Sequence, residues 1–414
     1  MSAHDRPELR LGFTPLTDCA PLVIAHELGF FAREGLRVEL SPEPSWSNVR
    51  DKLAAGALDA AHALAPLPLA LTLGVGPLQE PTITALSLGL GGNGICVSLA
   101  LRRALDGVDA AGAASPAGAG RALAKLVALR RSRGAAPLRF GTVFPVSMHT
   151  YALCHWLEVS GVDPLRDVEL RVVPPPRMAG ELEQGELDGF CVGEPWSSVA
   201  VRRGIGVILL TGNDVWSHAP EKVLAVPLAW AERNPAVHRA LLRALLLAGR
   251  WCDDYGNRPE LARRLARWID APEEALLPAL LDALHPSLHA FHRFAASFPW
   301  RSHAAWMLAQ MIARGQLEKP IDVRRASAAV YRSDLYREAA REVGLSCPLA
   351  DEKLEGAHAS AWQLPSDGAP IHMPPDRFLD GSVFDPADVV RYLSARPFCA
   401  ARFPLDELAA AQRS

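Results

Sequence analysis

The chain has 414 residues, of which 49% are apolar and 21% charged, with a formal net charge of −3. That length leaves room for two or three domains with full cores, and the near-neutral charge argues against a surface that grips nucleic acid directly. Its apolar runs all fall short of the roughly 18 residues that a membrane span needs, so a membrane is not among the expected partners.

The predicted elements begin with a strand at 9–15, "LRLGFTP", that ends in a Gly/Pro turn. The stretch before it lacks the basic, apolar and small-residue layout of a secretory signal. Seven scattered cysteines, with no CxxC pair among them, read as buried free thiols of a reducing compartment. A cytoplasmic location is the expectation. "APLVIAHELGFFAREGL" then carries helical periodicity and stops at Gly35. "RVELSPEPSW" is a second strand, and "NVRDKLAAGALDAAHAL" a helix, a glycine turn and a third strand. Such alternation with short connections predicts a mostly parallel sheet covered by helices.

Residues 82–98, "TITALSLGLGGNGICVS", give two strands around a glycine-rich loop, without the Lys-Ser/Thr of a phosphate-binding loop. The Ala/Gly stretch at 107–120 reads as a surface loop. A second alternating block runs from "LRFGTVFP" to "GVILLTG", and its "EQGELDGFCVG" nearly repeats the "AAGALDAAHAL" of the first. Two similar α/β lobes follow from that repetition. From about 228 the pattern is helical, 350–375 reads as extended or looping, and "PADVVRYLSA" and "LDELAAAQ" are late helices. The expected division is 8–98 for the first part of lobe I, 99–215 for lobe II, and 216–414 for a return to lobe I plus a helical C-terminal region.

In this order, "SWSNVRDKL", "NGICVS", "FPVSMHTYALCHWL", "FCVGEPW" and "HAPEK" resemble the nitrate- and bicarbonate-binding proteins of ABC uptake systems. The resemblance implies a two-lobe type II periplasmic-binding-protein-like α/β fold with a ligand cleft between the lobes. Combined with the missing export signal, it points to the cytoplasmic nitrate/nitrite sensors of the NasS type. Those proteins imply a partner, a NasT-type antiterminator with an ANTAR domain, which binds the RNA in their place. The alternative is the substrate-binding component of an ABC nitrate or bicarbonate transporter.

The same resemblance marks Trp46, Asn93, His149 and Lys222 as ligand-binding residues. Nitrate is flat, singly charged and only accepts hydrogen bonds, so it needs converging donors and one cation with little carboxylate nearby. Trp46 offers an indole N–H, Asn93 an amide among glycines, His149 an imidazole at a strand-to-helix junction, and Lys222 the charge. Taken singly, each also fits a bland role: a packed tryptophan, a turn asparagine, a capping histidine, a solvated lysine. Gly193, Glu194, Ser147 and Thr150 are expected just behind them, Glu194 orienting a donor such as His149 or capping a helix. A lysine with other donors favours nitrate or nitrite over bicarbonate, whose hydroxyl wants an acceptor.

His285, His289 and His292 have helical spacing in "HPSLHAFHRF" and read as a helix face, and Asp253 and Asp254 as a solvated helix end. With no convincing nucleophile, general base or cofactor loop, the expectation is a binding protein and not an enzyme, with no cofactor and no metal.

Overall fold

The computed structural model describes residues 8–281 and 288–413. Thirteen strands are described: β1 (Glu8–Phe13), β2 (Arg37–Pro42), β3 (Ala60–Leu64), β4 (Thr82–Gly91), β5 (Asn93–Ser98), β6 (Leu138–Thr142), β7 (Val168–Val172), β8 (Gly189–Gly193), β9 (Gly206–Thr211), β10 (Pro220–Pro227), β11 (His289–Ala290), β12 (Trp362–Leu364) and β13 (Ile371–Met373). They form two main sheets, ordered β11-β4-β10-β3-β1-β2 and β7-β6-β8-β5-β9, and a small β12-β13 hairpin. Each main sheet is the floor of one lobe.

The lobes are built alike. β1 pairs in parallel with β2 and β3, as β6 does with β7 and β8. The repeated G-x-L-D phrase has the same task in both. Asp59 accepts from the Arg10 backbone N at 2.8 Å, and Asp188 from the Arg139 backbone N at 2.7 Å. Each aspartate pins the first strand of its lobe, so the repeat is structural.

The sheets are mixed where the alternation predicts mostly parallel pairing. β10 runs antiparallel to β3 and β4, and β5 antiparallel to β8 and β9. The reason is the crossover. β5 enters lobe II directly from β4 of lobe I, and β10 returns from lobe II, so each arrives against the direction of its hosts. The passage lies at Gly91 and Gly92, seven residues before the expected border at 98. Both glycines have positive φ, and a Cβ on either would lie about 2 Å from Leu288 O or the His289 ring.

The 107–120 stretch is not a loop. It ends the helix Leu99–Asp109, makes a short turn, and opens the helix Pro116–Ser132. Its small residues allow close packing: a Cβ at Gly120 would lie 1.9 Å from Ser160 Oγ. Low complexity here reflects tight contact, which hydrophobic periodicity does not register.

Helices dominate from 228 to 342, including Arg301–Ala313, which is buried along all of its length but the first residue. Asp253 is not a solvated helix end. Its carboxylate accepts from the backbone N of Phe291, His292 and Arg293 at 2.6–3.0 Å and pairs with Arg258 at 2.9 Å. That clamp holds the segment carrying His289 and His292 in an extended and turning path, so the two do not share a helix face; His285 lies outside the described residues. The final segment straps back across the return crossover, with Ser217 N donating to Arg377 O at 2.9 Å. All seven cysteines are free and six are buried. Among the described residues no helix is long and apolar enough to cross a membrane.

Candidate functional site

The two crossovers meet between the lobes, and the predicted residues converge there. Lys222 sits near the start of β10, fully buried. Its Nζ lies 2.7 Å from Asp18 Oδ2, 3.4 Å from Glu221 Oε2, and 5.4 Å from the centre of the Trp46 ring. The lysine is therefore neither solvated nor a lone ammonium, and the expectation of little carboxylate nearby is corrected: two carboxylates contact it. In a regular strand Glu221 and Lys222 would face opposite ways. The pairing of β10 with β4 is irregular on either side of Lys222, and that break lets both side chains join one cluster, Glu221 reaching Asn93 and Lys222 reaching Asp18.

Asp18 comes from the 3-10 turn Thr17–Cys19 and also contacts His62 Nε2 at 2.9 Å. Burial opposes its charge, but Lys222 and His62 outweigh that and hold the carboxyl well below the usual range. Burial likewise works against the Lys222 ammonium, which Asp18 and Glu221 more than restore. For Glu221 burial wins over Lys222, and the carboxyl is pushed up to about 8.

Trp46 opens the helix Trp46–Ala54, whose N-cap Ser45 accepts from Asn48 N. Its ring is buried against His62, and its Nε1 has no partner among the described residues. His149 is the second residue of the helix Met148–Val159. Ser147 caps that helix by accepting from Thr150 N at 3.1 Å, and both hydroxyls donate to Phe144 O. Ser147 and Thr150 thus hold the helix start that carries His149. Both His149 ring nitrogens are buried without a partner, and burial, assisted by Lys222, keeps the ring neutral with its pKa well below the ordinary value.

Asn93 opens β5 and Gly193 closes β8, paired side by side. The Asn93 amide donates from Nδ2 to Glu221 Oε1, while its Oδ1 is left without a partner. A Cβ on Gly193 would lie 3.6 Å from both Asn93 Oδ1 and His149 Nε2. The glycine therefore keeps the floor between these two groups open. Glu194 accepts from Ser198 N at 3.1 Å, capping the start of the next helix, and makes no hydrogen bond to His149. Burial pushes its carboxyl up to about 7. Its backbone joins the lobes: Thr17 N donates to Glu194 O at 2.8 Å, and Glu194 N to Gly92 O at 2.9 Å.

The result is a buried cluster drawn from both lobes: a lysine, two carboxylates, two imidazoles, an indole and an amide. Several of its polar atoms are buried and unsatisfied, each at a cost of about 1–3 kcal/mol. Such atoms call for a small polar ligand able to accept from the indole and imidazole. Asp18, His62 and Glu221 escape sequence reasoning. Asp18 stands 204 residues from Lys222; its only signal is a carboxylate inside the apolar "LTDCAPLVIA". Glu221 adjoins Lys222 but is hidden by the strand irregularity.

Residues 2–266 match the NMT1-like family. The chain belongs to the NMT1-like family. It is 36% identical over 408 residues to the nitrate import ATP-binding protein NrtC of Synechocystis sp., covering 94% of this chain and 55% of that protein. It is 32% identical to the bicarbonate transport ATP-binding protein CmpC of Synechococcus elongatus, covering 97% of this chain and 57% of that one. The chain thus spans about half the length of these relatives. It is 31% identical to the nitrate/nitrite binding protein NrtA of Synechococcus elongatus, covering 96% and 89%. The crystal structure of the periplasmic nitrate-binding protein NrtA from Synechocystis PCC 6803 superimposes with a TM-score of 0.80 at 28% identity, covering 95% of this chain and 99% of that one. The two-lobe periplasmic-binding-protein fold expected from the sequence is the fold found.

Proposed function

We propose that the cleft binds nitrate or nitrite, and that the chain is a cytoplasmic sensor whose closure controls a NasT-type antiterminator. The observation that carries the binding reading is the buried set of unsatisfied donors, His149 and Trp46 Nε1, beside the Lys222 ammonium. A flat oxyanion accepts from such donors and meets a cation. The likeness to nitrate/nitrite binding proteins supports the same ligand class. No catalytic step is proposed.

Ligand contacts from both lobes favour the closed form, so binding shifts an open–closed equilibrium. A partner that prefers the open form is released on closure, and by linkage weakens nitrate binding by the same factor. The relatives in which a matching region makes up little more than half of a longer ATP-binding protein support a binding module that acts on a partner. With four heavy atoms at about −1.5 kcal/mol each, nitrate binding reaches roughly −6 kcal/mol, a Kd of tens of micromolar.

The second reading, a substrate-binding component of an ABC nitrate or bicarbonate transporter, is favoured by Glu221, an acceptor for the bicarbonate hydroxyl when ionised. Co-purification from cells grown with and without nitrate separates the two. Capture of an RNA-binding partner that nitrate releases supports the sensor. Capture of a membrane permease, or no nitrate effect, refutes it.

A further inference from the structure

We infer that Glu221 and Asn93 form a proton-operated selector: entry of an acceptor-only anion is accompanied by uptake of one proton on the Glu221 carboxylate, which turns the Asn93 amide to present its N–H groups to the ligand. The inference rests on the nitrate reading above.

The geometry sets the problem. Glu221 Oε1 holds Asn93 Nδ2, so the amide oxygen Oδ1 lies on the Gly193 side, where His149 Nε2 also lies. In that orientation Asn93 offers an acceptor, which repels nitrate. Counting the charges that meet here, Asp18 and Glu221 are negative, Lys222 is positive, and the His62 and His149 rings are neutral. With Glu221 ionised, the cluster is already net negative before an anion arrives. A further negative charge close to the carboxylate is strongly disfavoured in a buried site.

One proton, taken from solvent or buffer, answers both difficulties. The carboxylate becomes a carboxyl, whose O–H donates to Asn93 Oδ1 once the amide has rotated by half a turn. Nδ2 then points into the cleft as a donor. Everything else facing Glu221 leaves the proton there. Lys222 from its own strand and Asp18 from the Thr17–Cys19 turn are locked to each other at 2.7 Å. Cys191 of β8 is a buried thiol held protonated, with burial the main cause and Glu221 adding to it. Burial has already raised the Glu221 carboxyl to about 8, close to where a small push suffices. Bicarbonate brings the same charge but carries its own O–H, and the hydrogen bond it donates to the ionised carboxylate offsets that repulsion, so it needs neither the proton nor the rotation. The pair therefore sorts anions by whether they bring a hydrogen.

The test is calorimetric titration of nitrate between pH 6 and pH 9.5, in phosphate and Tris buffers whose ionisation heats differ. The expected result is nitrate affinity that is flat at the acid end and falls about tenfold per pH unit above about pH 8, with close to one proton taken up there. Bicarbonate at pH 8.5–9 shows no uptake. Glu221→Gln, whose amide donates to Asn93 Oδ1 at every pH, removes both the slope and the uptake. Thermal melting at each pH confirms that the variant is folded. Nitrate binding with no proton uptake in the native protein overturns the selector and leaves the nitrate reading intact. Uptake that survives Glu221→Gln but is lost in His149→Gln places the proton elsewhere and also overturns it. No nitrate heat at any pH removes the nitrate reading itself.

Discussion

Two lysines in this molecule, Lys222 fully buried and Lys353 half-buried, sit between two carboxylates and near a tryptophan ring, and they differ in what is left over. Under the C-terminal strap, Lys353 contacts Glu355 and lies 3.0 Å from Asp376, with the Trp300 ring 5.8 Å away. Ser302 Oγ donates to Glu355 at 2.6 Å, and Trp216 Nε1 to Asp376 at 3.0 Å. Each carboxylate there has a neutral donor as well as the lysine. In the cleft, Lys222 has the same company, but both His149 nitrogens, Trp46 Nε1 and Asn93 Oδ1 remain without partners among the described residues. We read the more nearly completed cluster as scaffold and the incomplete one as the candidate site. Burial and charge pairing alone do not separate them; the convergence of several unsatisfied atoms beside Lys222 does.

The largest effect that sharpens this contrast comes from the lysines. Lys353→Met leaves Glu355 and Asp376 without their cation and is expected to cost about 3–5 kcal/mol of stability, with nitrate affinity within about threefold of native. Lys222→Met also costs stability, since Asp18 keeps only His62, but it lowers nitrate affinity by at least a hundredfold. Denaturant unfolding together with calorimetry reads both quantities. Equal loss of binding in the two variants would erase the distinction.

His149→Leu comes next. Because its nitrogens find no partner among the described residues, removing them is expected to leave stability unchanged or raise it by up to about 1–3 kcal/mol. Nitrate affinity falls at least tenfold. A destabilised variant would show that His149 has a structural partner.

How far the chain announced this arrangement can be judged residue by residue. Alternation and turn residues placed the strands, and the G-x-L-D repeat announced two lobes, because both are local patterns that packing then reuses. Trp46, Asn93, His149 and Lys222 were singled out from their motifs, and all four are buried. Asp18 and Glu221 were not, since one is brought in by a crossover between distant segments and the other by an irregular pairing of β10. The helix ends and turn within 107–120 were missed because alanine and glycine carry no periodic signal, although they permit the close packing seen at Gly120.

Stability should depend on pH through the same two clusters. Glu221 is raised to about 8, and Glu355 and Glu194 to about 7, mainly by burial. Between the ordinary glutamate range and those values the folded state holds protons that the unfolded state has released, so stability falls as pH rises from about 5 to 8. Five histidines, His62, His149, His155, His238 and His303, are depressed by burial and outnumber those glutamates, so the unfolded state gains protons first as pH drops below about 6.5, and stability falls on that side too. A melting-temperature maximum near neutrality is expected, with Glu221→Gln flattening the alkaline limb. A melting temperature that climbs steadily from pH 6 to 9 would contradict this.

Gly193→Ala is the smallest change. The new methyl group would sit at ordinary contact distance, 3.5–3.6 Å from Leu16, Asn93 and His149, so folding is retained while the floor of the cleft narrows. Nitrate affinity is expected to fall by roughly three- to tenfold, about 0.7–1.4 kcal/mol.

Titrating nitrate at pH 7 into the native protein, Lys222→Met and Lys353→Met, side by side in one calorimeter, tests the central claim most directly. Saturable heat in the native protein and Lys353→Met, absent in Lys222→Met, is the predicted result. Heat that persists in Lys222→Met, or is missing from all three, would contradict it.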